Sequence, residues 1–169
     1  MSWKGLLDSF RDTLLVTAMV MVIIFGALMF GRFMAVTKIP FMLSDWIGGL
    51  PLSPMAIMAI IIIIHFIGGC FMDAFALIVL TVPIVFPVIL ALGFDPIWFG
   101  VLIVLIVEMG VITPPVGINV YVIKGIAPDV PLGKIFKGVV PFVLALLVCT
   151  VLLMIFPKIA TFLPSLMKF

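Results

Sequence analysis

The chain has 169 residues, of which 66% are hydrophobic and 9% charged, with a mean hydropathy of +1.57. Soluble domains are about half apolar and about a quarter charged, so this composition excludes a soluble domain and indicates a bilayer protein. A formal net charge of +2 is too small to suggest nucleic-acid binding, and the two cysteines lack the spacing of metal ligands.

The N-terminal part predicts an interfacial helix followed by a membrane span. Residues 3–11 have the pattern of a short amphipathic helix. The 19 residues 13–31 carry no charge, which is about the length that a bilayer requires. Arg32 and Lys38 follow as interfacial anchors, and Pro40 stops any continuation of the helix.

The segment between the first and second apolar runs has a mixed character. Asp45, Trp46 and the glycines at 48 and 49 indicate an interfacial helix followed by a turn. Residues 43–47 could equally return partway into the membrane.

The second and third apolar runs, 54–72 and 74–94, are separated without a polar loop. Only Gly68, Gly69 and Asp73 interrupt them. Either two helices turn there within the membrane, or one long helix unwinds there. The prolines at 83 and 87 should bend the third run.

The fourth run contains a second break. It enters the membrane at 97–107 and reaches Thr113, Pro114 and Pro115, with Gly110 and Gly117 on either side. Proline cannot donate a backbone hydrogen bond, and interrupted helices at membrane depth supply carbonyls and helix ends to ions and substrates. A functional break is therefore predicted, against the alternative of a proline kink or an interfacial turn.

The C-terminal part predicts an interfacial loop and a final span. Residues 128–134 are the most polar stretch, and the span covers 138–156 with Pro141 in its first turn. Residues 161–169 form a short apolar tail. The lysines on the two sides of this span are too evenly distributed to fix its orientation.

Four polar side chains lie within apolar surroundings, where an unpaired charge is costly. Asp73 is predicted to serve transport or to cap a helix, and both roles can coexist. Glu108 is assigned either an ion-linked role or the orientation of the break. Asn119 is either a ligand or a hydrogen-bonding residue between helices. His65 is predicted to be a satisfied interior histidine, since one histidine cannot form a metal site.

Four motifs follow one another in the order found in the large membrane subunit of TRAP (tripartite ATP-independent periplasmic) transporters. They are 69–73 (GCFMD), 83–87 (PIVFP), 93–100 (GFDPIWFG) and 108–120 (EMGVITPPVGINV). The chain resembles that subunit from residue 8 onward, and its length matches the second half alone.

The resemblance implies an all-α membrane protein that forms the second inverted repeat of an elevator-type, ion-coupled transporter. A re-entrant hairpin and a discontinuous helix would belong to its mobile transport domain, although the sequence does not show which break is which. The expected divisions are 1–12 (interfacial), 13–53 (first span and interfacial segment), 54–127 (transport-domain segment with breaks at 68–73 and 110–117) and 128–169 (loop, last span and tail).

The resemblance also assigns candidate site residues. The expected substrate and ion pathway comprises Gly69, Asp73, Glu108, Thr113, Pro114, Pro115 and Asn119. Sodium, the expected coupling ion, would be held by oxygens of Gly110, Thr113 and Gly117, with no other cofactor.

The implied function is sodium-coupled uptake of organic acids of the dicarboxylate or sialic-acid type, in the bacterial inner membrane. The expected partners are a small membrane subunit, a periplasmic substrate-binding protein, the first-repeat half of the large subunit and lipid. One alternative is a non-transporting remnant or scaffold of the same family. A membrane enzyme is disfavoured because no nucleophile–base pair or metal cluster is visible in the sequence.

Overall fold

The computed structural model describes residues 3–167, which form eight α-helices and no β-strand. Met1, Ser2, Lys168 and Phe169, at the outer edges of the predicted first and last divisions, lie outside the described residues. The helices are α1 (Trp3–Thr37), α2 (Ile39–Gly48), α3 (Pro54–Phe71), α4 (Ala74–Ala91), α5 (Pro96–Val111), α6 (Ile118–Ile126), α7 (Leu132–Ile155) and α8 (Lys158–Leu166). By length and composition α1, α3, α4 and α7 can cross a membrane, which confirms the predicted all-α membrane class.

The first helix is longer than predicted. Residues 3–11 are helical, but they continue without interruption into the span, so the separate interfacial helix is wrong. No proline or glycine lies between Leu6 and Phe25 to end the helix. At 1.5 Å per residue the 35 residues of α1 extend for roughly 50 Å, beyond the roughly 30 Å of a hydrocarbon core.

A left-handed residue separates α1 from α2. Lys38 has φ 56°, and Pro40 then occupies the first turn of α2, where a missing N–H costs nothing. The predicted helix after the first span is therefore present. It packs against α4 and places Leu43 and Ile47 on the hydrophobic core.

Helices α3 and α4 form an antiparallel hairpin, which decides between the two alternatives for this region. Gly68 faces Leu77 near the tip, and His65 meets Thr81 further down. Only Met72 and Asp73 connect the two helices. The prolines at 83 and 87 both lie inside α4, which continues as one helix through them.

The hydrophobic core lies at the end of the hairpin opposite Asp73. Trp98 of α5 is 1% exposed, and its indole N–H donates a 2.7 Å hydrogen bond to the carbonyl of Leu153 in the last turn of α7. That carbonyl has no helical partner, so the indole satisfies it. The core residues are Ile57, Met58, Ile61, Val88, Ile89, Trp98, Phe99, Leu102, Ile103 and Leu153.

The last span begins earlier than predicted. Lys124 donates from its Nζ to the carbonyls of Pro128 and Val130, which closes the loop and lets α7 start at Leu132. Pro141 therefore lies in the interior of α7, and its predicted place in the first turn is wrong. A further helix, α8, begins at Lys158 and includes residues 161–166 of the predicted apolar tail.

Candidate functional site

The hairpin tip is capped by a carboxylate. Asp73 has extended backbone angles, and its Oδ1 accepts a 3.1 Å hydrogen bond from the backbone N–H of Ala76 in the first turn of α4. Met72 donates its own N–H to the carbonyl of Gly68, which closes α3. The capping role of Asp73 is confirmed, and its side chain remains exposed for a second role.

The second break separates α5 from α6. Helix α5 ends at Val111, and the chain is non-helical until Gly117, whose positive φ of 62° favours glycine. The Pro114–Pro115 peptide bond is cis. At the start of the break Thr113 donates its N–H to the carbonyl of Gly110 and its hydroxyl to the carbonyl of Met109.

Direct backbone contact joins the hairpin tip to this break. A Cβ added to Gly110 would lie 2.7 Å from the carbonyl carbon of Gly69 and 2.8 Å from the carbonyl oxygen of Phe66. A Cβ added to Gly69 would lie 2.9 Å from the carbonyl oxygen of Val107. Because these neighbours are backbone atoms, only glycine at both positions allows α3 and α5 to approach so closely.

A cavity of about 330 Å³ lies beside this contact. It brings together three of the predicted pathway residues, Asp73, Glu108 and Asn119. All three of these residues are exposed. The full lining is Asp73, Ala74, Phe75, Ile78, Glu108, Val111, Ile118 and Asn119, which includes no lysine or arginine.

Three helix ends meet around the cavity. Ala74 and Phe75 belong to the first turn of α4, and Ile118 and Asn119 belong to the first turn of α6. Helix N-termini carry partial positive charge and free N–H groups. Glu108 and Val111 come from the last turns of α5, the partially negative end. The cavity thus presents N–H groups suited to an anion next to carboxylates suited to a cation.

The predicted residues of the double-proline motif lie elsewhere. Thr113 and Pro114 line a separate cavity of about 250 Å³ against α7, where Phe136 and Lys137 form part of the wall. Gly117 meets Phe136 as well. The break therefore stands between two cavities, with Asp73, Glu108 and Asn119 on one side and Thr113 on the other.

Backbone oxygens in the break are free to bind a ligand. Among residues 3–167, no hydrogen-bond donor reaches the carbonyl oxygens of Ile112, Pro115 or Val116. Of the predicted sodium ligands, the carbonyl of Gly110 accepts a backbone hydrogen bond from Thr113, and the carbonyl of Gly117 accepts two, from Val120 and Tyr121. A carbonyl has two lone pairs, so the oxygen of Gly110 retains one position and the oxygen of Gly117 retains none.

His65 is satisfied in the interior, as predicted. It is 3% exposed, with Nδ1 2.8 Å from the carbonyl oxygen of Ile61 and Nε2 2.9 Å from the hydroxyl oxygen of Thr81. Sequence reasoning did not identify Thr81, because only the register of the hairpin places it opposite His65. In the described part of the chain no group of three or more His, Cys, Asp or Glu side chains is placed to hold a metal ion.

Comparison with known proteins connects this arrangement to a family. Residues 1–159 match the family described as "Tripartite ATP-independent periplasmic transporter, DctM component". The chain is 35% identical over 162 residues to the C4-dicarboxylate TRAP transporter large permease protein DctM of Pseudomonas aeruginosa, covering 96% of the chain and 37% of that protein.

Relatives named for other substrates match equally broadly. The chain is 31% identical over 163 residues to the sialic acid TRAP transporter large permease protein SiaM of Vibrio cholerae, covering 96% of the chain and 38% of that protein. It is 32% identical over 166 residues to the ectoine/5-hydroxyectoine TRAP transporter large permease protein UehC of Ruegeria pomeroyi, covering 98% and 39%. The chain thus spans less than two fifths of the length of these curated relatives.

Proposed function

The chain belongs to the DctM family of TRAP transporter large permease subunits, and from that membership we propose that it forms half of a sodium-coupled transporter of organic acids. Its relatives are transport permeases and not enzymes. The family places the protein in the bacterial inner membrane, and four helices of the fold are long enough to cross it.

The observation that carries this proposal is the shared cavity of Asp73, Glu108 and Asn119. Two carboxylates at one cavity without a basic residue in its lining favour a bound cation, because ionised groups within a membrane need a partner or water. The first turns of α4 and α6 border the same cavity and favour a carboxylate of the substrate. A cation and an organic anion would therefore bind as neighbours and stabilise each other.

Sodium is proposed to bind at the double-proline break. Sodium prefers oxygen ligands, and the free carbonyls of Ile112, Pro115 and Val116 supply them without deprotonation of any group. The hydroxyl of Thr113 donates a hydrogen bond to the carbonyl of Met109, so the lone pairs of its Oγ1 remain for a cation. Gly110 offers one further carbonyl position, whereas the carbonyl of Gly117 already accepts hydrogen bonds from Val120 and Tyr121.

In the proposed architecture α3 and α4 are the re-entrant hairpin, and α5 and α6 are the discontinuous helix of the second repeat. The transport-domain segment is 54–127, and the flanking segments 1–53 and 128–169 attach it to the rest of the permease. The contact between Gly69 and Gly110 supports movement of hairpin and broken helix as one body. The small membrane subunit and the periplasmic binding protein would complete the tripartite system.

Because the chain covers less than two fifths of the length of its relatives, this proposal requires the first-repeat half as a partner. Polar backbone at membrane depth must be covered by protein or water, and the other repeat is the natural cover for the breaks. A non-transporting remnant or scaffold is the alternative, and it would keep the same fold without uptake.

The proposal is tested with vesicles that contain the chain, the first-repeat half, the small subunit and the binding protein. A sodium gradient should drive accumulation of organic acids, and a potassium gradient of equal size should not. Glu108→Gln should abolish uptake, because it removes one of the two charges at the cavity. Asp129→Asn, in the loop between α6 and α7, is the matched control and should leave uptake unchanged. Wild-type uptake by Glu108→Gln would contradict the proposed site.

A further inference from the structure

The hydrogen bonds around His65 form a series that begins and ends at a backbone carbonyl. Three contacts run in series, from the carbonyl of Ile61 to Nδ1 of His65 (2.8 Å), from its Nε2 to the hydroxyl oxygen of Thr81 (2.9 Å), and from that oxygen to the carbonyl of Leu77 (2.7 Å). Both ends of this chain are carbonyls, which only accept hydrogen bonds.

This series of hydrogen bonds lacks one hydrogen when the imidazole of His65 is neutral. Three hydrogen bonds between two terminal acceptors need three hydrogens, whereas a neutral imidazole and one hydroxyl supply two. In the neutral state Nδ1–H donates to Ile61, and the hydroxyl of Thr81 donates either to Nε2 or to Leu77. One added proton on Nε2 completes all three bonds.

From this count we propose that His65 and Thr81 form a proton-binding site inside the hairpin, separate from the cavity at its tip. Binding forms one N–H bond at Nε2, breaks no covalent bond and adds one positive charge to the protein. At most the Thr81 hydroxyl rotates from Nε2 toward Leu77, because the heavy atoms already stand at hydrogen-bonding distances.

Proton binding at His65 should affect the contact between the two helices of the hairpin. The bond from Nε2 to Thr81 joins α3 directly to α4, and a hydrogen bond from a charged donor is about twice as strong as a neutral one. Protonation should therefore hold the two arms together more firmly. His65 also lines a cavity of about 290 Å³ between α2, α3 and α4.

Ionisable side chains on the helices around His65 do not account for proton binding at its ring. Helix α4 has no acidic or basic side chain, and α3 has only the thiol of Cys70 besides His65. Asp45 of α2 does not line the cavity beside His65, and Glu108 of α5 lines the one at the tip. Arg32 of α1 lines a cavity together with Val79 and Pro83 of α4, and Thr81 is not part of that lining. No charged residue lines the cavity beside His65, so the hydrogen bonds to Ile61 and Thr81 are what would hold the proposed proton.

The chain contains a single histidine, which makes a direct measurement simple. The full chain is labelled with ¹⁵N-histidine, placed in lipid nanodiscs and followed by NMR as the pH is lowered through the range in which it stays folded. The neutral ring should carry its hydrogen on Nδ1, and both nitrogens should be protonated at the acidic end. A ring that stays neutral throughout, or one that carries its neutral hydrogen on Nε2, would overturn the proposal.

Thr81 provides the matched variants. Thr81→Val removes the acceptor for the added proton, so half-protonation should require a pH lower by about one unit or more. Thr81→Ser keeps the hydroxyl and should titrate close to the wild type. An equal midpoint in Thr81→Val and wild type would refute the site, and if Thr81→Val does not fold, the wild-type spectrum alone decides.

A role of this proton in transport rests on the proposed function. In vesicles with the assembled permease, uptake should change with pH for the wild type, and His65→Asn should give a different pH profile because its amide does not titrate in this range. Equal pH profiles for the two would contradict the role in transport. A permease that shows no uptake would instead refute the proposed function and leave the NMR titration unaffected.

Discussion

Gly69 and Gly110 touch through their backbones, and this contact fixes the hairpin tip against the break in the next helix. The carbonyl carbon of Gly69 lies 2.7 Å from where a Cβ of Gly110 would stand. Packed interiors do not deform to admit such an atom. The position of Asp73 relative to Glu108 therefore depends on the absence of a Cβ atom at both Gly69 and Gly110.

Gly69→Ala should destabilise the protein by about 1–3 kcal/mol, because its methyl group would meet the carbonyl of Val107. Gly68→Ala is the neighbouring control. There the added methyl meets only the flexible side chain of Leu77 at 3.1 Å, and alanine favours the helix by about 0.5–1 kcal/mol. The measurement is thermal unfolding in detergent for both variants. A loss of stability in Gly68→Ala as large as that in Gly69→Ala would show that the contact is not special.

Trp98→Phe should cost about 1–3 kcal/mol, because it removes the indole N–H and leaves the buried carbonyl of Leu153 without a partner. Trp46→Phe serves as control, since Trp46 is 65% exposed and Trp98 only 1%. Its effect should stay within about 0.5 kcal/mol. Unfolding followed by near-ultraviolet circular dichroism distinguishes the two, and equal midpoints would contradict the assigned role of Trp98.

Asp73→Asn should keep the helix cap and lose transport. The amide oxygen still accepts the hydrogen bond from Ala76, and only the charge at the cavity disappears. Asp95 is the matched control, because it caps α5 in the same way through Ile97 and Trp98 but lies at the opposite end of the hairpin.

Uptake into reconstituted vesicles and thermal unfolding are measured for both aspartate variants. Asp95→Asn should retain uptake, and both variants should unfold near the wild-type temperature. If Asp73→Asn transports at the wild-type rate, Asp73 is a structural cap and nothing more.

Thr113→Val should weaken the dependence of uptake on sodium. Valine keeps the shape of threonine and removes the oxygen proposed to bind the cation. Thr150→Val is the control, because Thr150 also donates its hydroxyl to a carbonyl four residues earlier, at Leu146, and lies away from the break. The sodium concentration that gives half-maximal uptake should rise about tenfold for Thr113→Val, equivalent to about 1.4 kcal/mol. An unchanged sodium dependence would remove Thr113 from the ligand set.

Local sequence signals were enough to locate both interruptions of the fold. Glycine pairs, double prolines and capping aspartates act within a few residues, so the ends at Asp73 and near Thr113 could be predicted. The start of α7 could not, because the loop before it is closed by Lys124. Likewise, nothing local shows that residues 3–11 continue into the first span.

Contacts between helices were beyond sequence reasoning. Asp73, Glu108 and Asn119 were each singled out as polar residues in apolar surroundings, but their common cavity depends on the glycine contact between α3 and α5. Thr81 was missed because only the antiparallel register of the hairpin brings it to His65. The separate cavity of Thr113 depends in turn on where α7 packs.

The central claim is that this chain supplies half of a transport site and needs the other half to function. The most direct test measures sodium-driven uptake of an organic acid by vesicles that contain the chain, the small subunit and the binding protein, with and without a separately expressed first-repeat half. We predict no uptake in its absence and rescue when it is added. Sodium-driven uptake without any first-repeat polypeptide would contradict the claim.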